Sequence, residues 1–439
     1  MKHRRLLAMI CLLLTFALCS AAMADEKSDP FVVRVGSVGY ALSEVQGYWD
    51  ALAASYLAAG ETIDSTQYDW YEQSVIDSYV KMGILQNKLI EYGLDAITAA
   101  DQEQLEIDAQ LRYDEELEQY AKQIVQEYGK TIEQAREYAK TFMELDGMTM
   151  EQARSLSLTA LKEKRILDYA TSDAAEPTAE EVEAFYREKL VEPSRENYEY
   201  DISAFEQDVL YYGAISYFIP SGYRYVRHIL LPASEGALAR ANAQESAVLE
   251  AEKTVQAAEN ALYGVRLLEE DETSAALTLK DAQEALAGEQ AKLQAIYDEC
   301  MERYAAEIKD IEDCLAAGES FDSVSESYEK DAAMPAEGYL VCADSVLWAK
   351  NFREGAMALQ SIGDVSQPIC TNAGVHFLQY VADAPDGAVP LEGELLAKVK
   401  DAAYLQKRYD LLEGFIEQWR AEYEITTNVG LLSVPECLR

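Results

Sequence analysis

The sequence predicts an α+β protein, predominantly helical, in which a helical domain precedes a mixed α/β domain that carries an inserted helical hairpin. Three observations predict it. Apolar residues recur at three- and four-residue intervals from Thr66 to about Ala170, the mark of amphipathic helices. Two alternating runs, "YRYVRHILLP" and "VHFLQYV", read as strands and lie far apart in the chain. Between them, from Ser234 to about Arg303, an Ala-, Glu- and Gln-rich stretch keeps a seven-residue apolar beat.

In chain order, residues 1–24 read as a secretory signal peptide. "MKHRR" is basic, the following apolar run is too short for a comfortable membrane span, and "AMA" offers small residues for cleavage. Leu18 stands before Cys19 where a lipobox wants a small residue, so a lipid anchor is not expected. "FVVRVGSVGYALSEV" starts as a strand, turns at Gly39 and becomes helical, with Ser43 as N-cap. Pro177, Thr178 and Glu181 make a capping box ahead of a further helix. Residues 191–222 are irregular and rich in Tyr and Phe, a composition that fits either core packing or an aromatic surface. In the hairpin, Val248, Val255 and Leu262 fall seven apart, as do Leu279, Leu286 and Leu293, with the polar "EEDET" between the runs. The two arms are expected as an antiparallel coiled-coil hairpin, a route to oligomerisation, although Glu289, Gly264 and Gly288 weaken the pattern. After it come a helix ended by Gly318, a short helix, "EGYLV" as strand, "NFREGAMALQSIG" as helix, and "QPICTNAG" and "VHFLQYV" as strands. A long amphipathic helix, "LEGELLAKVKDAAYLQKRYDLLEGFIEQWRAEYEI", closes the chain with a loop or strand tail.

With 37 Lys and Arg against 79 Asp and Glu, the chain carries a net charge of −42. That balance excludes nucleic acid and anionic membrane as partners. It fits solubility outside the cell, or attraction to basic clients or divalent cations. Beyond the leader no stretch is apolar enough to span a membrane. The cysteines outside it are Cys300, Cys314, Cys342, Cys370 and Cys437; with no CxxC pair among them, a zinc site is not expected, and Cys342–Cys370 is one candidate disulfide. G-x-S-x-G and P-loop motifs are absent, so hydrolase and nucleotide readings fall away, and no cofactor is expected.

The order strand-with-His, helix ending in Gly, short helix, strand, helix, turn and strand-with-His resembles the parvulin family of peptidyl-prolyl isomerases. "VRHILL" is similar to its first strand. "LAAGESFDSVSESYEKD" is similar to its helix and following short helix, and "IGDVSQPICTNAGVHFLQYV" to its ending. There Gly363, Ser366, Pro368, Gly374 and His376 keep the family's spacing. The resemblance covers residues 223–233 and 304–386, with 234–303 inserted. The flanks resemble the SurA and PrsA class of extracytoplasmic foldases. That likeness implies an N-terminal chaperone domain over 25–222, an isomerase domain over 223–386 and a C-terminal region, 387–439, whose helix packs on the N-terminal domain. It implies client polypeptides with X–Pro bonds as partners.

By the same resemblance, His228 and His376 match the paired histidines, Asp331 the Cys-or-Asp position at the catalytic centre, and Thr371 the hydroxyl beside the second histidine. Leu340, Trp348 and Phe352 match positions lining the proline pocket, Trp348 standing where Met is usual. The segment "AEGYLV" departs from the family's "GGDLG", keeping only Gly338 of its glycines. Two isolated strand histidines would ordinarily be structural, as Trp348 and Phe352 would ordinarily be core; the motif around them argues for a site. No third ligand accompanies the histidines, so no metal is expected. Two functions follow: an extracytoplasmic isomerase and chaperone for exported proteins, or a non-catalytic client-binding chaperone on a degenerate parvulin scaffold.

Overall fold

The computed structural model describes residues 29–128, 131–267, 272–328, 331 and 334–439. The expected leader and most of the "EEDET" break lie outside the described residues. The described chain is mostly helix with a few small sheets, as the apolar periodicity predicts.

Two strands open it, β1 (Phe31–Val35) and β2 (Val38–Ala41), paired antiparallel. The turn falls at Gly36 and Ser37, not at Gly39, which is inside β2. Helix α1 (Leu42–Ala58) follows directly, capped by Ala41 without a side-chain bond. Ser43 is therefore not the cap. Its backbone N–H and hydroxyl both donate to the Asp29 carboxylate, at 2.9 and 2.6 Å, which satisfies the first turn from outside the helix. Four helices follow: α2 (Tyr68–Glu91), α3 (Ala99–Tyr128), α4 (Ile132–Leu145) and α5 (Met150–Ala170). Thr131 and Gln134 form a capping box at the start of α4.

Next come α6 (Ala179–Phe185), α7 (Glu192–Tyr198) and α8 (Ile202–Phe205), with π-helical turns over Tyr186–Val191 and Glu206–Tyr211. β3 (Phe218–Ile219) and β4 (Arg224–Pro232) lead into the inserted hairpin, α9 (Glu235–Leu267) and α10 (Thr273–Arg303). Its arms run antiparallel: Arg240 meets Glu299 at 2.8 Å, and Gln244 donates to the Glu289 carboxylate at 2.7 Å. The acid that breaks the heptad thus finds a polar partner across the seam. Then come α11 (Ala305–Ala316), α12 (Phe321–Ser325), β5 (Tyr339–Val341), α13 (Lys350–Ala358), β6 (Ile369–Thr371), β7 (Gly374–Asp383) and β8 (Gly387–Ala388). A long helix α14 (Gly393–Arg420) and a short strand β9 (Ile425–Thr427) finish the chain.

The chain divides into two compact units, one of residues up to Thr178 with Lys400–Arg439, the other Ala179–Val399. In the first, β1 lies between β2 and β9. Its core joins Val33, Val35, Trp49, Ile76, Tyr79 and Ile84 to Leu412, Ile416 and Trp419 of α14. Asn87 is buried and donates to the Val35 carbonyl at 2.7 Å while accepting from Ser37, so one amide ties α2 to the strand turn. In the second unit, which runs from Ala179, the aromatic segment before β4 is core. Phe205 is fully buried against Tyr223, ring centroids 5.2 Å apart. Its sheet runs β5-β4-β7-β6, all antiparallel. One face packs Ile229, Leu231, Val375 and Phe377 against α10 and α11, the other Val226, Leu378 and Tyr380 against α13. Cys342 and Cys370 do not form a disulfide; they lie in different clusters, and both thiols are free. Among the described residues no helix is long and apolar enough to cross a membrane.

Lys88 joins the two ends of the first unit. Its ammonium, almost wholly buried, lies 2.6 Å from Glu422 and 2.8 Å from Glu91, over the rings of Tyr92, Trp419 and Tyr423. A Lys88→Met variant keeps the stem and loses these charge-assisted bonds, and is expected to lose about 2 kcal/mol of stability. Urea unfolding followed by circular dichroism checks it; an unchanged midpoint would show that the desolvation of the ammonium cancels the gain.

Candidate functional site

Strand register brings the two histidines together. In the β4–β7 pair, Leu230 faces His376 and His228 faces Leu378, so the histidines are diagonal neighbours on one face. Both are buried. Their Nδ1 atoms are 3.1 Å apart, and the rings lie nearly parallel with centroids 5.3 Å apart. His228 Nε2 is 3.0 Å from Asp331 Oδ2, and His376 Nε2 is 2.8 Å from the Thr371 hydroxyl. Four of the residues expected as catalytic therefore form one chain.

Proton positions follow from its ends. The Asp331 carboxylate accepts only, so His228 donates from Nε2, and as a neutral ring its Nδ1 must then accept. His376 donates from Nδ1 and accepts at Nε2 from the Thr371 hydroxyl. Thr371 oxygen in turn accepts the Ala373 N–H at 3.1 Å. The Tyr339 hydroxyl also donates to Asp331 Oδ2, at 2.7 Å. The one negative charge thus sits at the more open end of an otherwise neutral relay. Burial pushes His228 below the ordinary imidazole value, with Asp331 opposing. Burial pushes His376 further, to about 3, helped by His228 beside it. A proton added at His228 Nδ1 would set two Nδ1–H donors against each other, and one added at His376 Nε2 would break the bond it accepts from the Thr371 hydroxyl.

The aromatic wall stands beside this chain. Phe352, 2% exposed, meets both histidine rings edge to face, at 5.9 and 5.2 Å. Trp348 stacks on Phe352 at 5.0 Å with 22° between the planes, and its indole N–H donates to the Leu340 carbonyl at 2.9 Å. Trp348 is half-buried and so covers Phe352 from the outside. Leu340 is the exception among the expected residues. Register sets Leu340 against Tyr225 and Tyr339 against Val226, so the Leu340 side chain lies on the opposite face, with Phe205, Tyr223 and Cys342. Tyr339 takes the place on the histidine face, 4.7 Å from Trp348. Strand alternation through "EGYLV" was the signal for it. Gly338, the glycine kept in that segment, has φ +95°, and a Cβ there would come within 2.7 Å of the Val226 carbonyl oxygen.

A second residue escapes sequence reasoning. Glu206 is fully buried, and its carboxylate accepts four donors: the Tyr223 hydroxyl at 3.1 Å, the Ser345 hydroxyl, and the N–H groups of Val346 and Leu347 at 2.7 and 2.9 Å. It thereby fixes the loop that delivers Trp348. Arg353 supports the same loop by donating to the Ser345 carbonyl at 2.6 Å. The signal was an acid on an apolar stripe, with Ile202, Phe205, Glu206 and Val209 at helical spacing. Among the described residues, no group of three or more His, Cys, Asp or Glu is placed to hold a metal ion.

Fold and site together define a small antiparallel α/β unit built around a histidine pair and an aromatic wall. No family model matches the chain, and no curated protein matches it. Among solved structures it is similar to one from the pair PEB4 and Cj1289, structurally related SurA-like chaperones of Campylobacter jejuni, at 9% identity and TM-score 0.28, over 91% of this chain and 98% of that one. It is also similar to PrsA from Bacillus subtilis, at 12% identity and TM-score 0.21, over 88% of each chain. Likeness this distant says nothing of the site, whose chemistry rests on its own geometry.

Two outcomes are expected. Both histidines titrate lower when folded than in the unfolded chain, whose value is ~6.5. As pH falls the unfolded chain therefore takes up protons first, so the stability they contribute is full above that value and is lost below it, toward the folded values. Burial lifts Glu44 and Glu163 to about 7, which acts in the opposite direction, so the comparison is made against a His228→Gln, His376→Gln variant. Between pH 6.5 and 5 the wild type is expected to lose about 2 kcal/mol more than the variant in urea titrations; parallel pH profiles would show that the pair titrates normally. Glu206→Gln changes no side chain of the histidine chain but sets an amide among four donors, and is expected to cost about 2 kcal/mol in the same titrations.

Proposed function

We propose that this chain is an extracytoplasmic peptidyl-prolyl cis–trans isomerase of parvulin type that also acts as a chaperone for exported polypeptides. The observation that carries the reading is the continuous hydrogen-bond chain Thr371–His376–His228–Asp331 beside the Phe352–Trp348–Tyr339 wall. An X–Pro bond rotates over a barrier of ~18–20 kcal/mol. Lowering it needs no nucleophile, only an environment that favours the twisted amide over both planar forms. A proline ring packs against the aromatic wall while the carbonyl side of the bond swings. The planar amide places negative charge on its carbonyl oxygen, and twisting withdraws it. A carboxylate beside that oxygen, Asp331, therefore raises the planar states relative to the twisted one. The neutral histidine pair and Thr371 hold Asp331's partner ring in one tautomer and one orientation.

The chaperone part is supported by apolar side chains left exposed on the helices of the first unit, among them Ile107, Leu111, Phe142 and Leu145. The extracytoplasmic setting rests on the leader-like residues 1–24 and the acidic charge.

One observation favours a second, non-catalytic reading: Trp348 lies flat on Phe352, where a proline ring would otherwise pack. On the isomerase reading Trp348 offers its outer face or swings aside. A protease-coupled assay on X–Pro tetrapeptides separates the two. Wild-type turnover is expected to fall at least ~10-fold in kcat/KM in His228→Ala and Phe352→Ala, and to rise in Trp348→Met if the indole gates the slot. A folded wild type with no rate above background, yet able to suppress aggregation of a denatured client, would establish the client-binding protein instead.

A further inference from the structure

The inserted hairpin does not only lengthen the second unit. Glu245, Leu249 and Glu252 of α9 and Leu293 and Tyr297 of α10 face the first turn of α13 across an open cleft of about 410 Å³. On each arm the lining positions recur at i, i+3, i+4 and i+7, so each helix turns one whole face to the cleft. Leu249 is 51% exposed there, an apolar side chain half open to solvent. Among the described residues that line the cleft, Glu245, Glu252 and Glu354 face a single cation, Lys350, whose ammonium lies 4.0 Å from Glu354. Glu245 also accepts from the Tyr297 hydroxyl at 2.5 Å, which fixes one carboxylate at the rim.

The cleft adjoins the histidine site. Ala349 lines it and also packs on the Phe352 cluster, one residue beyond Trp348. Asn351, on the cleft side of α13, donates to the Cys370 carbonyl at 3.0 Å, next to the Thr371 that bonds His376. An extended peptide advances ~3.3 Å per residue, so the residues flanking a proline at the aromatic wall are the part of a client nearest the cleft.

We infer that this cleft is a docking groove for the residues flanking the proline of a client, and that it selects segments pairing an apolar side chain with a lysine or arginine. The apolar floor takes the aliphatic part, and the carboxylates take the cationic end. The inference rests on the client-binding reading of the adjoining site, and it assigns the insertion a part in substrate choice.

The test is fluorescence anisotropy with the full-length protein and fluorescein-labelled decapeptides. Each peptide carries one proline and a leucine, with either lysine or glutamate three residues from the proline. At low salt the lysine peptide is expected to bind roughly fivefold more tightly, as two or three screened ion pairs allow. In a Glu245→Gln, Glu252→Gln variant the ratio is expected to fall below about twofold, and Leu249→Ser is expected to weaken both peptides. Because the whole chain is acidic, a Glu180→Gln, Glu183→Gln variant on exposed α6 serves as control and is expected to keep the ratio. Equal affinities in the wild type, a ratio that survives in the groove variant, or one that falls equally in the control would each overturn the inference. Turnover is read separately on the same peptides: charge selectivity without turnover leaves the groove and removes the isomerase, while turnover without selectivity does the reverse.

Discussion

The antiparallel pairing of β4 with β7 is the constraint on which the second unit depends. It places His228 and His376 diagonally on one face, and Ile229, Leu231, Val375 and Phe377 on the other. Side chains alternate with a period of two, so a slip of one residue would carry a histidine into the apolar layer under α10 and α11 and expose that layer's own residues to α13. Gly374 opens β7 at φ +138°, where a Cβ would come within 2.1 Å of the Leu231 carbonyl oxygen, so the pairing closes only with glycine at that place. The segment before β6 is held to β7: Ser366 N–H donates to the Leu378 carbonyl at 2.8 Å, and its hydroxyl accepts the Leu378 N–H at 2.9 Å. The motif glycine and serine thus act through the strand that carries the second histidine.

From that register the polar chain follows. Once the histidines are diagonal neighbours, two neutral rings bond Nδ1 to Nδ1 only if one is donor and the other acceptor, and the carboxylate of Asp331 decides which. The low imidazole values follow from burying the pair, and the same burial favours the neutral form of both rings. The aromatic wall has a different support. Trp348 depends on a loop whose backbone N–H groups are anchored on Glu206, well over a hundred residues earlier in the chain. The aromatic segment before β4 is in this sense part of the site, which explains why it belongs to the same compact unit.

The insertion between β4 and α11 is accommodated because both of its ends leave from one side of the sheet. Cys300 and Tyr297 at its base pack on Cys370, Val375 and Phe377. Cys370 has its thiol pushed well above the ordinary range by burial, with Cys300 beside it adding to the effect. The hairpin is therefore rooted in the core beneath the strand that carries Thr371, not attached by a loose linker, and its acidic face stands at a defined place beside α13.

Much of this was legible in the residues. Apolar periodicity located the long helices and alternation located β4 and β7, because those signals are local and repeat with the period of their own element; the histidine pair was legible only through the resemblance of the segment with Gly363, Ser366, Gly374 and His376 to the parvulin family. The sequence by itself determined which side chains were available and on which face of each strand or helix they lay. Tertiary structure alone decided the rest. The turn at Gly36 and Ser37 is held by Asn87 and by the Glu424 carbonyl, contacts that no window of sequence contains, and the cap that Asp29 supplies comes from outside the helix. Leu340 and Tyr339 exchanged roles because which face of a short strand meets the histidines is set by its partner's register. Glu206 reads as a surface acid until four donors from distant segments converge on it, and buried polar groups find their partners through space, not along the chain.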